Sequence, residues 1–205
     1  MKKALILLAG YPGTGKSYLS VRIRNIAGDI VQISPDEIKE KVWDAVGFSN
    51  QEEKDQLILR SWTSYYQQLE RYLREGETVL SDYPFSKKQK PTLQRLIKKY
   101  EYQVITIRLI AEFDVLFDRQ RKRDMDEKRH AGHILMSYHQ GEKIADRRNA
   151  DALVSYAEFK QRYQTRGHGK FSLGKLLEVD VSDFKTVNYD AIEAVVMQFL
   201  DAAKE

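Results

Sequence analysis

This sequence predicts a three-layer α/β fold, a five-stranded parallel sheet between two layers of helices, and three observations carry that prediction. Short apolar or β-branched runs alternate with longer amphipathic stretches along the whole chain, the pattern of successive βα units. The first run, Ala4-Leu5-Ile6-Leu7-Leu8-Ala9, has the continuous apolar character of a strand covered on both faces. Directly behind it stands Gly10-Tyr11-Pro12-Gly13-Thr14-Gly15-Lys16-Ser17, which fits the phosphate-binding pattern G-x-x-x-x-G-K-[ST] between a strand and a helix.

After the loop, residues 18–27 place Leu19, Val21, Ile23 and Ile26 at helical spacing, and Gly28 closes the helix. Ile30-Val31-Gln32-Ile33 is a short second strand. Ser34-Pro35-Asp36-Glu37 then opens a helix with a capping residue, a first-turn proline and two acids. A long helical pattern over 50–74 offers Leu57, Leu59, Trp62, Tyr65, Tyr66, Leu69 and Tyr72 as one face, and this spacing points to core packing rather than a base-stacking platform. Gly76 ends that helix, and Thr78-Val79-Leu80-Ser81-Asp82 is a third strand finishing in an acid. A helix over 87–99, with a solvated lysine face, leads to the fourth strand over 102–110. Residues 112–123 are helical, with Phe113, Leu116 and Phe117 inward and Arg119 and Arg123 one turn apart. The stretch 124–140 loses periodicity and gathers charges, two histidines and Gly132, which marks it as a mobile lid. Helical pieces over 145–163 and the glycine-rich Arg166-Gly167-His168-Gly169 precede a last strand over 175–181 and a terminal helix over 189–203.

At 205 residues the chain fits one domain, 1–205, in which the lid (124–140) and an acceptor-side helical segment (47–76) are parts rather than separate units. Hydrophobic residues make up 42% and charged residues 31%, and no apolar run approaches membrane-spanning length, so no membrane partner is expected. The absence of cysteine excludes disulfides and thiolate metal sites and accords with a cytoplasmic location. Met1-Lys2-Lys3 and the following apolar run imitate a signal peptide, but cleavage there would remove the phosphate loop, so the run is read as the first core strand. A net charge of +4 suits a phosphate-handling protein and does not by itself call for nucleic acid.

The chemistry starts from the loop. A backbone curling around a polyphosphate needs φ values that side chains forbid, and it must bring its N–H groups close to the phosphate oxygens. Gly10, Pro12, Gly13, Thr14, Gly15, Lys16, Ser17 and Tyr18 are therefore the candidate nucleotide contacts. Lys16 supplies a cation for the β- and γ-phosphates, Ser17 a hydroxyl for Mg²⁺, and the helix start its positive end. Phosphoryl transfer further needs a metal-side acid, a group facing the acceptor and cations for the moving phosphoryl group. Asp82, at a strand end, is the candidate metal-side carboxylate. Asp36 is the candidate acceptor-side base or orienter, with a simple helix-start role as its alternative. Arg119 and Arg123 reach toward the nucleotide, where a guanidinium stacks on a base or forks onto phosphate. His130 and His133 have the spacing of a metal pair but no third ligand, and are read as donors that help close the lid.

With Ser34-Pro35-Asp36-Glu37-Ile38, Leu80-Ser81-Asp82, Arg119, Arg123, Arg129-His130-Ala131-Gly132-His133 and Leu177-Glu178-Val179-Asp180, the chain resembles the small P-loop kinases. Within them it is similar to the branch related to polynucleotide 5′-kinase, chloramphenicol phosphotransferase and the zeta toxins. The resemblance implies a P-loop NTPase fold, ATP with Mg²⁺, and transfer of the γ-phosphoryl group to a hydroxyl or phosphate of a small molecule or nucleotide. It also implies that Asp36 faces the acceptor and that Arg119 and Arg123 lie on the nucleotide and lid side; in the kinase reading Lys16, Asp36 and Arg123 are the residues expected to act in transfer. Polynucleotide kinases carry an arginine three residues after the acceptor-side aspartate, where this chain has Lys39; a lysine lacks the bidentate fork, which tells against a nucleic-acid acceptor. A polynucleotide end kinase and a zeta-type sugar-nucleotide kinase stand as alternatives. A nucleotide switch or mechanical ATPase is opposed by Pro35 after the short strand and by the lack of Asn-Lys-x-Asp.

Overall fold

The computed structural model describes residues 3–142 and 144–203; Met1 and Lys2 of the basic start lie outside them. The elements run β1 (Ala4–Gly10), α1 (Lys16–Ala27), β2 (Val31–Ile33), α2 (Pro35–Val46), α3 (Gln51–Glu75), β3 (Val79–Asp82), α4 (Lys90–Tyr100), β4 (Gln103–Ile110), α5 (Phe113–Met125), α6 (Tyr156–Thr165), β5 (Lys175–Asp180) and α7 (Tyr189–Ala202). The five strands pair in the order β2-β3-β1-β4-β5, all parallel. The expected architecture is therefore observed.

β1 is central, and all seven of its residues are buried. Its alternation sorts side chains between two cores rather than between core and water. Ala4, Ile6 and Leu8 pack with Leu19 and Ile23 of α1 and Ile192, Val196 and Phe199 of α7. Leu5, Leu7 and Ala9 pack with Tyr65, Leu69 and Leu73 of α3 and Leu93 and Leu96 of α4. The register sets Leu8 of β1 beside Asp82 of β3, so the end of β3 opens next to the phosphate loop. In an open parallel sheet that edge is where ligands bind.

Two expectations need correction. Leu59 does not share the packed face of α3, being 61% exposed, because it follows the buried Leu57 by two residues and so lies well around the helix. The helix expected from residue 87 begins at Lys90, after a turn in which Gln89 Oε1 accepts from the Ser86 N–H at 3.0 Å and the Ser86 hydroxyl at 2.8 Å. The helical pieces expected over 145–163 are a 3₁₀ turn at Arg147–Asn149 and α6, which starts at Tyr156, where Ser155 and Glu158 form a capping box. Segment 124–140, the expected lid, is packed against its neighbours in this structure. A third apolar cluster of Trp43, Phe48, Leu57 and Tyr138 holds it on α2 and α3, and Phe48 and Tyr138 form an antiparallel bridge. Among the described residues no helix is long and apolar enough to cross a membrane.

Candidate active site

The phosphate loop joins β1 to α1, and its glycines are there for steric reasons. Gly10 has φ 127°, and a Cβ on it would stand 2.1 Å from the Leu109 carbonyl oxygen of β4. Gly15, with φ 80°, caps α1 in the left-handed region. Lys16 is buried beneath the loop and donates to the carbonyls of Gly10 at 3.0 Å and Tyr11 at 2.8 Å. Thr14 Oγ1 donates to the Tyr11 carbonyl at 2.8 Å, which tightens the same turn. Burial, reinforced by the nearby Arg123 guanidinium, brings the Lys16 ammonium down to about 8 against the opposing pull of Asp36 and Asp82.

A cavity of about 500 Å³ lies over this loop. Pro12, Gly13, Gly15, Lys16 and Ser17 line it from the loop, Asp36 from α2, Asp82 from β3, and Arg119 and Arg123 from α5. The predicted carboxylates and guanidiniums are thus brought together around Lys16. Gly10 and Thr14 are buried beneath the loop and do not line the cavity. The Tyr18 ring stands outside it, 55% exposed and edge-on to Tyr189 at 5.2 Å, which leaves only the Tyr18 backbone for a phosphate.

The two acids differ in environment. Burial pushes Asp82 up to about 6, against the pull of Lys16 and a long 3.4 Å hydrogen bond from Gln32 Nε2. Burial would also raise Asp36, but Lys39 and His133 outweigh it and hold Asp36 well below the usual carboxylate range. Lys39 Nζ sits 2.5 Å from Asp36 Oδ1. The stretch does open α2, with Ser34 before it, Pro35 in its first turn and Asp36 and Glu37 as first-turn acids, although Ser34 makes no side-chain cap and the Asp36 carboxylate is paired with Lys39.

Ser17 and Asp82 offer a hydroxyl and a carboxylate oxygen, the hard donors that Mg²⁺ prefers. Among the described residues no cluster of three or more metal-ligating side chains exists. The donor set therefore fits a cation held chiefly by phosphates and water, and does not fit an all-protein metal cage. His130 and His133 are accounted for differently. His130 Nδ1 accepts from the Gly132 N–H at 3.0 Å, so its Nε2–H donates to Asp44 at 3.0 Å. Burial lowers His133 to about 4; it is neutral near pH 7, and its Nε2–H donates to Glu40 at 2.7 Å. Both histidines fasten segment 124–140 to α2.

Arg119 bridges two carbonyls, Val181 at 2.7 Å and Ser182 at 2.8 Å, and its guanidinium lies 3.7 Å from the Phe184 ring centroid. Arg129 forms an ion pair with Asp124 at 2.9 Å. Sequence reasoning misses Tyr83, Arg162, Arg166, His168 and Phe184 as site residues, yet all line the cavity. Tyr83 directly follows Asp82, whereas Arg162, Arg166, His168 and Phe184 come from α6 and from turns far along the chain from the motifs, where no spacing signal marks them.

A parallel sheet in the order 2-3-1-4-5, with a phosphate loop after its central strand, defines a P-loop protein of kinase-like fold, a class that binds nucleotides. The chain belongs to the AAA-domain family AAA_33, whose profile matches residues 5–138. A search of curated proteins found no match. Among solved structures, the chain is similar to a candidate kinase from Chloroflexus aurantiacus J-10-fl, with 26% identity, 97% of this chain and 99% of that one covered, and a TM-score of 0.76. It also shares its fold with APE1195 (15% identity, 100% and 99% covered, TM-score 0.62) and with the tunicamycin resistance protein of Deinococcus radiodurans (13% identity, 98% and 96% covered, TM-score 0.54).

Proposed function

We propose that this protein is an ATP-dependent phosphotransferase that moves the γ-phosphoryl group of ATP to a hydroxyl or phosphate of a small molecule or nucleotide. The observation that carries the reading is the convergence of Lys16, Asp36, Asp82 and Arg123 on one cavity at the open edge of the sheet. The likeness to the Chloroflexus candidate kinase over nearly the full length of both chains supports it.

In this reading the loop N–H groups and Lys16 hold the phosphate tail. Ser17 and Asp82 would hold Mg²⁺, which when bound neutralises phosphate charge. Asp36 accepts a hydrogen bond from the acceptor hydroxyl and turns its oxygen toward the γ-phosphorus. The new O–P bond forms as the bond to the β,γ-bridging oxygen breaks, ADP leaves, and the hydroxyl proton passes to Asp36. Because Asp36 is held strongly ionised, its main contribution is orientation, with the proton moving late, which suits a loose transition state that asks little of a base. Arg123 meets no carboxylate within ion-pair distance among the described residues, and is placed to neutralise charge on the moving group.

The test is transfer of label from γ-labelled ATP into fractionated small-molecule pools, with Lys16→Ala and Asp36→Ala as controls. The expected result is a labelled acceptor with the wild type and none with either variant. Steady ATP hydrolysis with no acceptor labelled, stimulated by a protein partner, would make the protein a nucleotide switch instead.

A further inference from the structure

Eight basic side chains and three carboxylates line the cavity. Two of the three carboxylates are already engaged, Asp36 by Lys39 and Asp124 by Arg129, and Asp82 lies near Lys16. A magnesium–ATP complex bears about two net negative charges, which Lys16 and Arg123 match. Cations therefore remain beyond what the nucleotide asks for, and two of them stand together on α6.

Arg162 and Arg166 are spaced four residues apart, so they project from one face of the chain at the end of α6. Among the described residues neither guanidinium meets a carboxylate. The acid one turn before Arg162, Glu158, is turned back onto the Ser155 N–H and hydroxyl, both at 2.9 Å, in the capping box. Both arginines line the same cavity as Asp36 and Lys39. The Tyr83 hydroxyl feels both Asp36 and Arg166, Lys39 Nζ lies 5.8 Å from the Tyr83 ring centroid, and Lys54 feels both Lys39 and Arg162. Arg119 and Phe184, by contrast, sit with the loop that follows β5.

The placement of α6 is built in rather than accidental. Tyr11 of the phosphate loop stacks on Tyr163 at 4.4 Å and donates its hydroxyl to the Tyr163 carbonyl at 3.0 Å, while His168 bonds the Phe85 carbonyl at 3.2 Å. This helix lies outside residues 5–138, the part that the family profile matches.

We propose that the acceptor is itself a phosphorylated compound, whose phosphate is gripped by Arg162 and Arg166 while its reacting oxygen is presented to Asp36. Two guanidinium forks are more than one carboxylate needs and suit a tetrahedral dianion. The inference rests on the kinase reading above, and the test separates the two.

Wild-type protein saturated with magnesium and the non-hydrolysable analogue AMPPNP is titrated calorimetrically with inorganic phosphate, and in parallel with acetate. The loaded protein is expected to bind phosphate at one site and acetate at least tenfold more weakly. Arg162→Gln and Arg166→Gln should each weaken phosphate at least tenfold, with Arg166→Lys intermediate, while AMPPNP affinity stays within twofold and reports an intact fold. Failure of the loaded wild type to bind phosphate, equal binding by the variants, or acetate binding as tight as phosphate would overturn the proposal. Loss of AMPPNP affinity in the arginine variants would also overturn it, by assigning the pair to the nucleotide. Failure of the wild type to bind AMPPNP would instead overturn the kinase reading beneath it.

Discussion

Asp82→Asn is expected to make the protein more stable while weakening its response to magnesium. Burial raises the Asp82 carboxyl from its ordinary 3.8 to about 6, and a proton held that much more tightly is worth about 3 kcal/mol. Between these two values the folded protein keeps a proton that the unfolded chain has released, so folding stability falls as pH rises through the window. Above it, the ionised, buried carboxylate costs the folded state about 3 kcal/mol. An asparagine carries no such cost, and its Oδ1 still accepts from Gln32 Nε2, now 3.4 Å from Asp82. Urea unfolding at pH 7.5 should show a gain of about 2–3 kcal/mol, which is about 4–10 °C in melting temperature for a domain of this size. At pH 4.5 the gain should shrink to about 1 kcal/mol. Magnesium with AMPPNP should raise the melting temperature of the wild type more than that of the variant. A variant no more stable than the wild type at pH 7.5, or a gain equal at both pH values, would refute the argument that burial sets the Asp82 proton affinity.

Lys16→Ala should cost about a hundredfold or more in AMPPNP affinity by calorimetry, because one ammonium supplies two or more charge-assisted hydrogen bonds to phosphate. It should leave the fold intact, since Lys16 is already held down to about 8 by burial. Arg119→Lys removes the planar fork that spans the carbonyls of Val181 and Ser182, and should weaken AMPPNP about tenfold with little change in circular dichroism. Trp43→Ala removes a ring that is 2% exposed, against which Phe48, His130 and His133 pack. It should lower stability by about 3–5 kcal/mol in urea unfolding, with Trp43→Phe losing less.

The parts of the fold that can be read in advance are those encoded by neighbours in sequence. β1 and the phosphate loop form one uninterrupted pattern, and the strand ends at Ile33 and Asp82 place their acids by sheet topology alone. Lys39, which in sequence stands only as a missing arginine fork, is a partner of Asp36, and the i,i+3 spacing on α2 already contains that pairing. Other features depend on long-range contacts that leave no local trace. Segment 124–140 looks aperiodic because its own hydrogen bonds make only short turns, and it is anchored by Trp43 and the carboxylates of α2. Arg162 and Arg166 look like any solvated helix face until Tyr11 brings α6 against the phosphate loop. Tyr18 follows the motif and is expected at the phosphates for that reason, but its position on α1 turns the ring toward α7.

The bridge between Phe48 and Tyr138, whose backbones exchange hydrogen bonds of 2.8 and 2.7 Å, makes α2 and the segment after Asp126 a single jaw. Asp36, Lys39 and Arg129 belong to that jaw, whereas Arg123 belongs to α5. Arg147 spans the joint between them, holding the Asp124 carbonyl at 2.8 Å and the Arg129 carbonyl at 2.7 Å. Any movement of α2 with this segment relative to α5 would separate Asp36 from Arg123, and it would have to break the Arg129–Asp124 ion pair as well as the two Arg147 bonds.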